Sequence, residues 1–506
     1  MLHKPGCLFA KLIIGLFTFS TVAAQTMPGQ KDSINSTILN QKRFVQVVLP
    51  PGYKEGSTEK FDVIYILDGD GNTGLANSVI QFISGENSMP PIIVVGVLNI
   101  DRNKDLTPTR MDGFNTSGGA PEFLSFLKSE LIPYIDKKYP TNGENTLFGH
   151  SFGGLFVTYA LLNDPVAFKS YIAADPSYWW DKNMMIGMAM KKLPALINSN
   201  HTLFITGREG QGLDEMGILP MDTVLKKYSP TGFSWKITAY TDETHGTIRL
   251  KSIYDGLRFT YDGYGQRKPD FHPMAGILLK DKPIKIWYLD DTVKTRYTID
   301  GSMPTLASPN ILHTVVMPGA GTFTAKTFTG HERFDKVTTG VFEIKDGPAP
   351  VAKEKSFTTG GLHYAYYEGR WDKLPDFTNL KPVKEGTVTK DFDLNKLPSQ
   401  NNFGVVMSGQ LEVKEEGYYI FGLASDDGSK FFLGNQLLMD NDGLHDGYGF
   451  KSYVLPLKKG FYPVRLEYFQ KEGGTSLRLV YFTPGMINTD HPDPKSIPQE
   501  LLYSKQ

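Results

Sequence analysis

The chain has 506 residues, too many for one ordinary core, so about two to four domains are expected. Hydrophobic residues make up 40% and charged residues 21%, a globular composition that excludes a disordered chain. A formal net charge of −1 leaves no electrostatic case for nucleic acid or an anionic membrane as the main partner.

The first 24 residues read as a secretory signal. Lys4 and Lys11 supply positive charge, Leu12 to Phe19 an apolar core, and Val22-Ala23-Ala24 a small-residue cleavage site before Gln25. The apolar run is too short to span a bilayer. Cys7, the single cysteine, lies ahead of that core, so the mature chain carries neither disulfide nor thiol chemistry. A secreted or periplasmic protein is predicted, with no membrane span after cleavage.

From Gln41 to about Tyr264, short β-branched runs alternate with helical stretches. Strands are predicted at 44–49, 62–67, 92–97, 146–148, 171–174, 203–206 and 234–240, and helices at 121–138, 154–163 and 221–228. This alternation predicts a mostly parallel sheet with helices on both faces. The run Thr146-Leu147-Phe148-Gly149-His150-Ser151-Phe152-Gly153-Gly154 ends a strand on Gly-x-Ser-x-Gly and leads into a helix. That is the nucleophile elbow of an α/β-hydrolase, with Ser151 held on a sharp strand-to-helix turn. Gly149 and Gly153 flank it where a Cβ is expected to collide with a neighbouring element. The N–H of Phe152, at the helix start, suits a developing oxyanion. A second donor is expected after the strand at 92–97, near Leu98 or Asn99.

A serine nucleophile needs a base, and the base needs an orienting carboxylate. Two histidines follow Ser151 in this region. His201 precedes its strand and so lies on the wrong edge of the sheet, whereas His245 follows the strand at 234–240 and is the predicted base. For the acid, Glu209 just after the strand at 203–206 is favoured. Asp214 in the same Gly-rich loop and Asp175 after the preceding strand remain open alternatives. Arg208 is expected to pair with Glu209 at the surface.

Asp101-Arg102 with Asp105-Leu106-Thr107-Pro108-Thr109-Arg110, the elbow at 149–154, and Asp175-Pro176-Ser177-Tyr178-Trp179-Trp180 together resemble three ordered motifs of an esterase family. That family includes ferric-enterobactin-type siderophore esterases and carbohydrate esterases that remove feruloyl or acetyl groups. The resemblance covers residues 40–262 and implies Ser151 as nucleophile, His245 as base and Glu209 as acid, with no catalytic cofactor. Asp175 stands where relatives usually have serine. Arg110 is a candidate substrate contact, and Asp105 is read as pairing within its loop or binding substrate. Of Trp179 and Trp180, one is expected to pack beneath the site and the other to line an acyl pocket.

After Tyr264 the pattern turns all-β. The run Tyr297-Thr298-Ile299-Asp300-Gly301-Ser302-Met303-Pro304-Thr305 resembles a motif of the small β-sandwich at the C-terminus of chitobiases, over residues 272–346. Residues 347–356, Asp-Gly-Pro-Ala-Pro-Val-Ala-Lys-Glu-Lys, are predicted as a stiff linker. Four ordered motifs within residues 357–486, among them Ala424-Ser425-Asp426-Asp427-Gly428-Ser429, resemble the protective-antigen-type (PA-fourteen) β-sandwich. Some members of that group bind sugars, and the resemblance implies calcium at Asp426 and Asp427, with Asp440, Asn441 and Asp442 as further oxygen ligands. The same aspartates also suit a tight hairpin turn.

Together these features predict an α/β-hydrolase followed by two all-β modules. The expected function is a secreted serine esterase acting on acyl groups of carbohydrate, its last module binding glycan. A siderophore ester is the alternative substrate, and a non-catalytic glycan binder on a hydrolase scaffold is a second alternative.

Overall fold

The computed structural model describes residues 29–505 apart from 290–294, 330, 389–391, 393, 395–396, 488 and 490–491. The predicted signal segment lies outside the described residues. Two compact units divide the chain, Met1–Gly265 and Gln266–Gln506.

The first unit is built on eight strands: β1 (Gln30–Ser36), β2 (Gln41–Val48), β3 (Phe61–Ile66), β4 (Ile92–Val97), β5 (Thr141–His150), β6 (Ser170–Ala174), β7 (Thr202–Arg208) and β8 (Ser234–Tyr240). Their order in the sheet is β1-β2-β4-β3-β5-β6-β7-β8. The β1–β2 and β2–β4 pairs are antiparallel, and every pair from β4 to β8 is parallel. Helices on both faces explain why β3 and β4 are buried at every position and, Asp62 apart, apolar. The predicted helix at 121–138 forms as Ala120–Phe126 and Ile132–Lys138, joined by a π-helical turn. A helix at Phe152–Asn163 leaves the end of β5 and is almost wholly buried, so its sequence is apolar on every face.

In the second unit the two β segments share one sheet. Ala275–Leu278 pairs in parallel with Val337–Ile344 on one side and with Lys451–Leu457 on the other. The eight-stranded sheet therefore runs without a break from the chitobiase-like segment into the protective-antigen-like one. The proline-rich connection at 347–356 is tied down between them. Val351 N–H donates to the Phe461 carbonyl at 2.8 Å and Glu354 N–H to Gln410 Oε1 at 2.9 Å. Pro348 and Pro350 pack so closely on Gly434 and Gly460 that a Cβ at either glycine would come within 2.6 Å of them. This segment is a packed strap rather than a spacer.

Candidate active site

Ser151 sits between the last residue of β5 and the first turn of the Phe152–Asn163 helix, at φ 61° and ψ −117°. For a residue with a Cβ this is a strained conformation, and the packing on both sides holds it. Ser151 N–H donates to the Ala174 carbonyl at 3.0 Å, and the Ser151 carbonyl accepts from Leu155 at 3.0 Å and Ser177 at 3.2 Å. A Cβ on Gly149 would fall 2.3 Å from the Gly153 carbonyl oxygen, so glycine is required there. Gly153 has room, its nearest neighbour being Asp68 Oδ2 at 3.4 Å, whereas a Cβ on Gly154 would strike Pro176 at 2.9 Å.

His245 lies in the loop that follows β8, and its Nδ1–H donates to Asp175 Oδ2 at 2.7 Å. Asp175 follows β6, adopts φ 41° and is wholly buried. The carboxylate that meets His245 is therefore that of Asp175, not the favoured Glu209. Glu209 continues the β7–β8 pairing through its N–H to the Tyr240 carbonyl at 3.0 Å, and it is exposed to solvent. Asp214 is exposed as well, in the short Gln211–Glu215 helix. The sheet order gives the reason. β6 lies directly beside β5, so the loop after β6 abuts the elbow, while the loop after β7 is one strand further away. Arg208 also departs from expectation: its Nε–H donates to Asp175 Oδ2 at 2.7 Å.

The ring of His245 packs on that of His150, the residue before the serine, with centroids 4.4 Å apart. Burial first, and the neighbouring imidazole second, push the His150 side chain down to about 4, so it is neutral near pH 7. The Ser151 hydroxyl lies 3.3 Å from that of Ser177. His201 is held away from the site, its Nε2 at 2.7 Å from the Pro165 carbonyl.

The end of β4 is one strand removed from the elbow, because β3 stands between β4 and β5. Asn99 N–H is taken by Asp70 Oδ2 at 3.0 Å, and its side-chain amide donates to Asp68. The segment against the elbow helix is the one that follows β3. Leu67 and Asp68 are the side chains nearest a Cβ built on Gly153, and Asp68 adopts the left-handed conformation at φ 51°. Arg102 binds Asp68 through Nε at 3.0 Å and Nη2 at 3.2 Å, and its guanidinium lies 5.2 Å from the Phe152 ring centre. Sequence pattern gives Asp68 and His150 no role, and Arg102 enters only within a motif of the esterase resemblance. The adjacency of His150 to Ser151 is the one local signal available.

The two tryptophans divide the roles expected of them by burial. Trp180 is fully buried against Phe114 and Phe152, its Nε1–H donating to Thr109 Oγ1 at 3.1 Å. Trp179 is 36% exposed and faces the Phe152 ring at 5.9 Å. Arg110 is exposed, on the loop beyond the short helix Arg102–Leu106. Asp105 makes a buried two-pronged pair with Arg43, at 2.6 and 2.8 Å, and so has a structural partner.

In the second unit, Asp427 accepts backbone N–H groups on both oxygens, from Lys471 at 2.9 Å and His445 at 3.4 Å. The further calcium ligands predicted beside it are engaged elsewhere. Asp440 and Asp442 face Lys430 at 3.5 and 3.4 Å, Asp442 Oδ1 accepts from Leu374 N–H at 2.7 Å, and Asn441 donates to Ser425. Burial, then the charge of Asp427, raises the Asp426 carboxyl above its ordinary value. Among the described residues no three His, Cys, Asp or Glu side chains gather to hold a metal ion.

A serine on a strained elbow, with a histidine and a buried aspartate brought to the same edge of a mostly parallel sheet, places the first unit in the α/β-hydrolase class. Residues 36–219 match the family model Esterase, described as Putative esterase, and residues 361–495 match the PA14 domain. The esterase match thus falls in the first unit, with the PA14 match behind it. The chain is 30% identical over 188 residues to the ferri-bacillibactin esterase BesA of Bacillus subtilis, across 33% of this chain and 64% of that protein. Over 89 residues it is 40% identical to a siderophore enterobactin esterase of Emericella nidulans, across 17% of this chain and 29% of the relative. An IroE-like serine hydrolase from Shewanella oneidensis is similar in structure at 30% identity and a TM-score of 0.43, covering 46% of this chain and 79% of that one. The chain thus spans less than two thirds of the length of these two curated relatives. Among the described residues, no helix is long and apolar enough to cross a membrane.

Proposed function

We propose that the chain hydrolyses carboxylic esters through Ser151, His245 and Asp175. The observation that carries this is the 2.7 Å contact of Asp175 with His245, beside a serine held on the elbow. His245 takes the hydroxyl proton as Ser151 Oγ adds to the ester carbonyl, and then gives it to the departing alcohol. Water cleaves the resulting acyl-enzyme by the same route and restores the serine. The Nδ1–H bond to Asp175 fixes the tautomer that leaves Nε2 free to accept, and the buried carboxylate stabilises the imidazolium that forms. The Phe152 N–H and a backbone N–H of Asp68 or Gly69, beyond the sheet-bonded Leu67 N–H, receive the oxyanion.

The substrate we favour is an iron-chelating siderophore ester, because the curated relatives quoted above are named for such esters. Export by the N-terminal signal and cleavage before Gln25 belong to the same proposal. The PA14 match supports a second reading, in which the ester is an acyl group on carbohydrate and the second unit holds the glycan near the enzyme. Comparing kcat/KM on a catechol trilactone with that on acetylated and feruloylated oligosaccharides separates the two. An organophosphate should label Ser151 in the wild type and leave Ser151→Ala unmodified. Ser151→Ala should also lose about 10⁴–10⁶-fold in turnover while remaining folded. An unlabelled wild-type protein would end the enzymatic reading and leave the binding scaffold.

A further inference from the structure

We propose that Arg208 is a positioning residue for the acid–base pair, holding the Asp175 carboxylate toward His245. This rests on the triad proposed above.

Asp175 is wholly buried, and a single oxygen, Oδ2, takes both the His245 Nδ1–H and the Arg208 Nε–H, each at 2.7 Å. The other oxygen, Oδ1, is buried without a hydrogen-bond partner among the described residues. A buried carboxylate half-satisfied in this way depends on the cation that touches it. Arg208 is the last residue of β7, so the sheet fixes where its side chain starts. Gly212 leaves the lane open: a Cβ there would come within 2.8 Å of Arg208 Cβ and 3.3 Å of Cζ.

With both nitrogens on one oxygen, the guanidinium and the imidazole are separated by no more than twice that bond length. At such a range the guanidinium anchors the same carboxylate oxygen to which the imidazole donates. The other charged or titratable groups around His245 do not replace it. His150, packed on the ring from the end of β5, is neutral. Glu243, in the same loop, is paired with Lys251 at 2.7 Å. Arg249, on the helix that follows, donates to the Gly246 carbonyl and to Asn72 and does not bind Asp175.

The test is kcat/KM against pH on p-nitrophenyl acetate for wild type, R208Q, R208K, D175N and E209Q, with thermal melts as a check on folding. R208Q is expected to lose roughly tenfold in kcat/KM, mainly in kcat. R208K keeps the charge without the planar fork. It is expected to recover part of that loss and to stay several-fold below wild type. A wild-type kcat/KM for R208Q or for R208K would overturn the proposal. If D175N itself keeps the wild-type rate, the triad reading is what fails. If D175N collapses while R208Q does not, only the role of Arg208 is lost. Should R208Q not fold, R208K alone decides by the same criteria.

Discussion

Asp175 and His245, 70 positions apart in the chain, are joined at 2.7 Å by a hydrogen bond between the loops that follow β6 and β8. Asp175→Asn keeps the shape but removes the charge and can reverse the donor, presenting the wrong imidazole tautomer to the serine. A loss of about 10³–10⁴ in kcat is expected, with the melting temperature little changed. Glu209→Gln, on an exposed side chain, should stay within about threefold of wild type. Reversed results for this pair of variants would reinstate Glu209 as the acid.

The two glycines of the elbow should respond differently to the same substitution. Gly149→Ala drives a methyl to 2.3 Å from a backbone carbonyl that the helix cannot withdraw, so expression as folded, active protein should be lost or sharply reduced. Gly153→Ala meets nothing closer than 3.4 Å and should fold, with activity measured on the soluble protein within about tenfold. Equal tolerance at both positions would mean that the turn relaxes more than this packing implies.

His150 gives the fold an acid sensitivity of predictable sign. The unfolded chain takes up this proton near the ordinary value for histidine, about 6.5. In the folded protein, burial holds the group neutral until about pH 4. Between those values the unfolded state binds more protons, so stability falls as pH falls, by at most about 3 kcal/mol from this group. Urea unfolding of the full chain followed from pH 7 to 4 should therefore decline less steeply in His150→Gln than in wild type. Parallel slopes would show that the histidine is already protonated in the fold or that other groups dominate the decline.

What sequence pattern reveals about this molecule depends on how local the signal is. Buried parallel strands are legible because both faces are covered and their residues run apolar, as in Ile92–Val97. β1, with the sequence Gln-Lys-Asp-Ser-Ile-Asn-Ser, lies at the sheet edge with most of its side chains exposed or half-exposed, and nothing in its pattern marks a strand. The elbow is legible because strand, glycine, serine and helix are contiguous. The acid is not, since Asp175, Glu209 and Asp214 all follow strands at the same sheet edge. Choosing among them requires knowing that β6, not β7, borders β5. The strand that borders β5 on its other side is equally hidden, because β4 and β3 exchange places in the sheet relative to chain order.

Asp105 offers a test of how the elbow's surroundings are held. Its pair with Arg43 is almost fully buried, and Arg43 in turn packs beside the rings of Phe123 and Phe126. Removing one partner leaves a buried charge alone, so Asp105→Ala should cost about 3–5 kcal/mol in unfolding free energy. The double variant Arg43→Met with Asp105→Leu removes both charges and should recover most of that loss. Asp105 belongs to the short helix Arg102–Leu106, whose first residue, Arg102, binds Asp68 next to the elbow helix. The double variant should therefore also keep its activity if the apolar pair preserves the position of that helix. A stable double variant with lost activity would instead show that the ion pair itself sets the position of that helix, and a cost below about 1 kcal/mol for Asp105→Ala would mean that water reaches the pair.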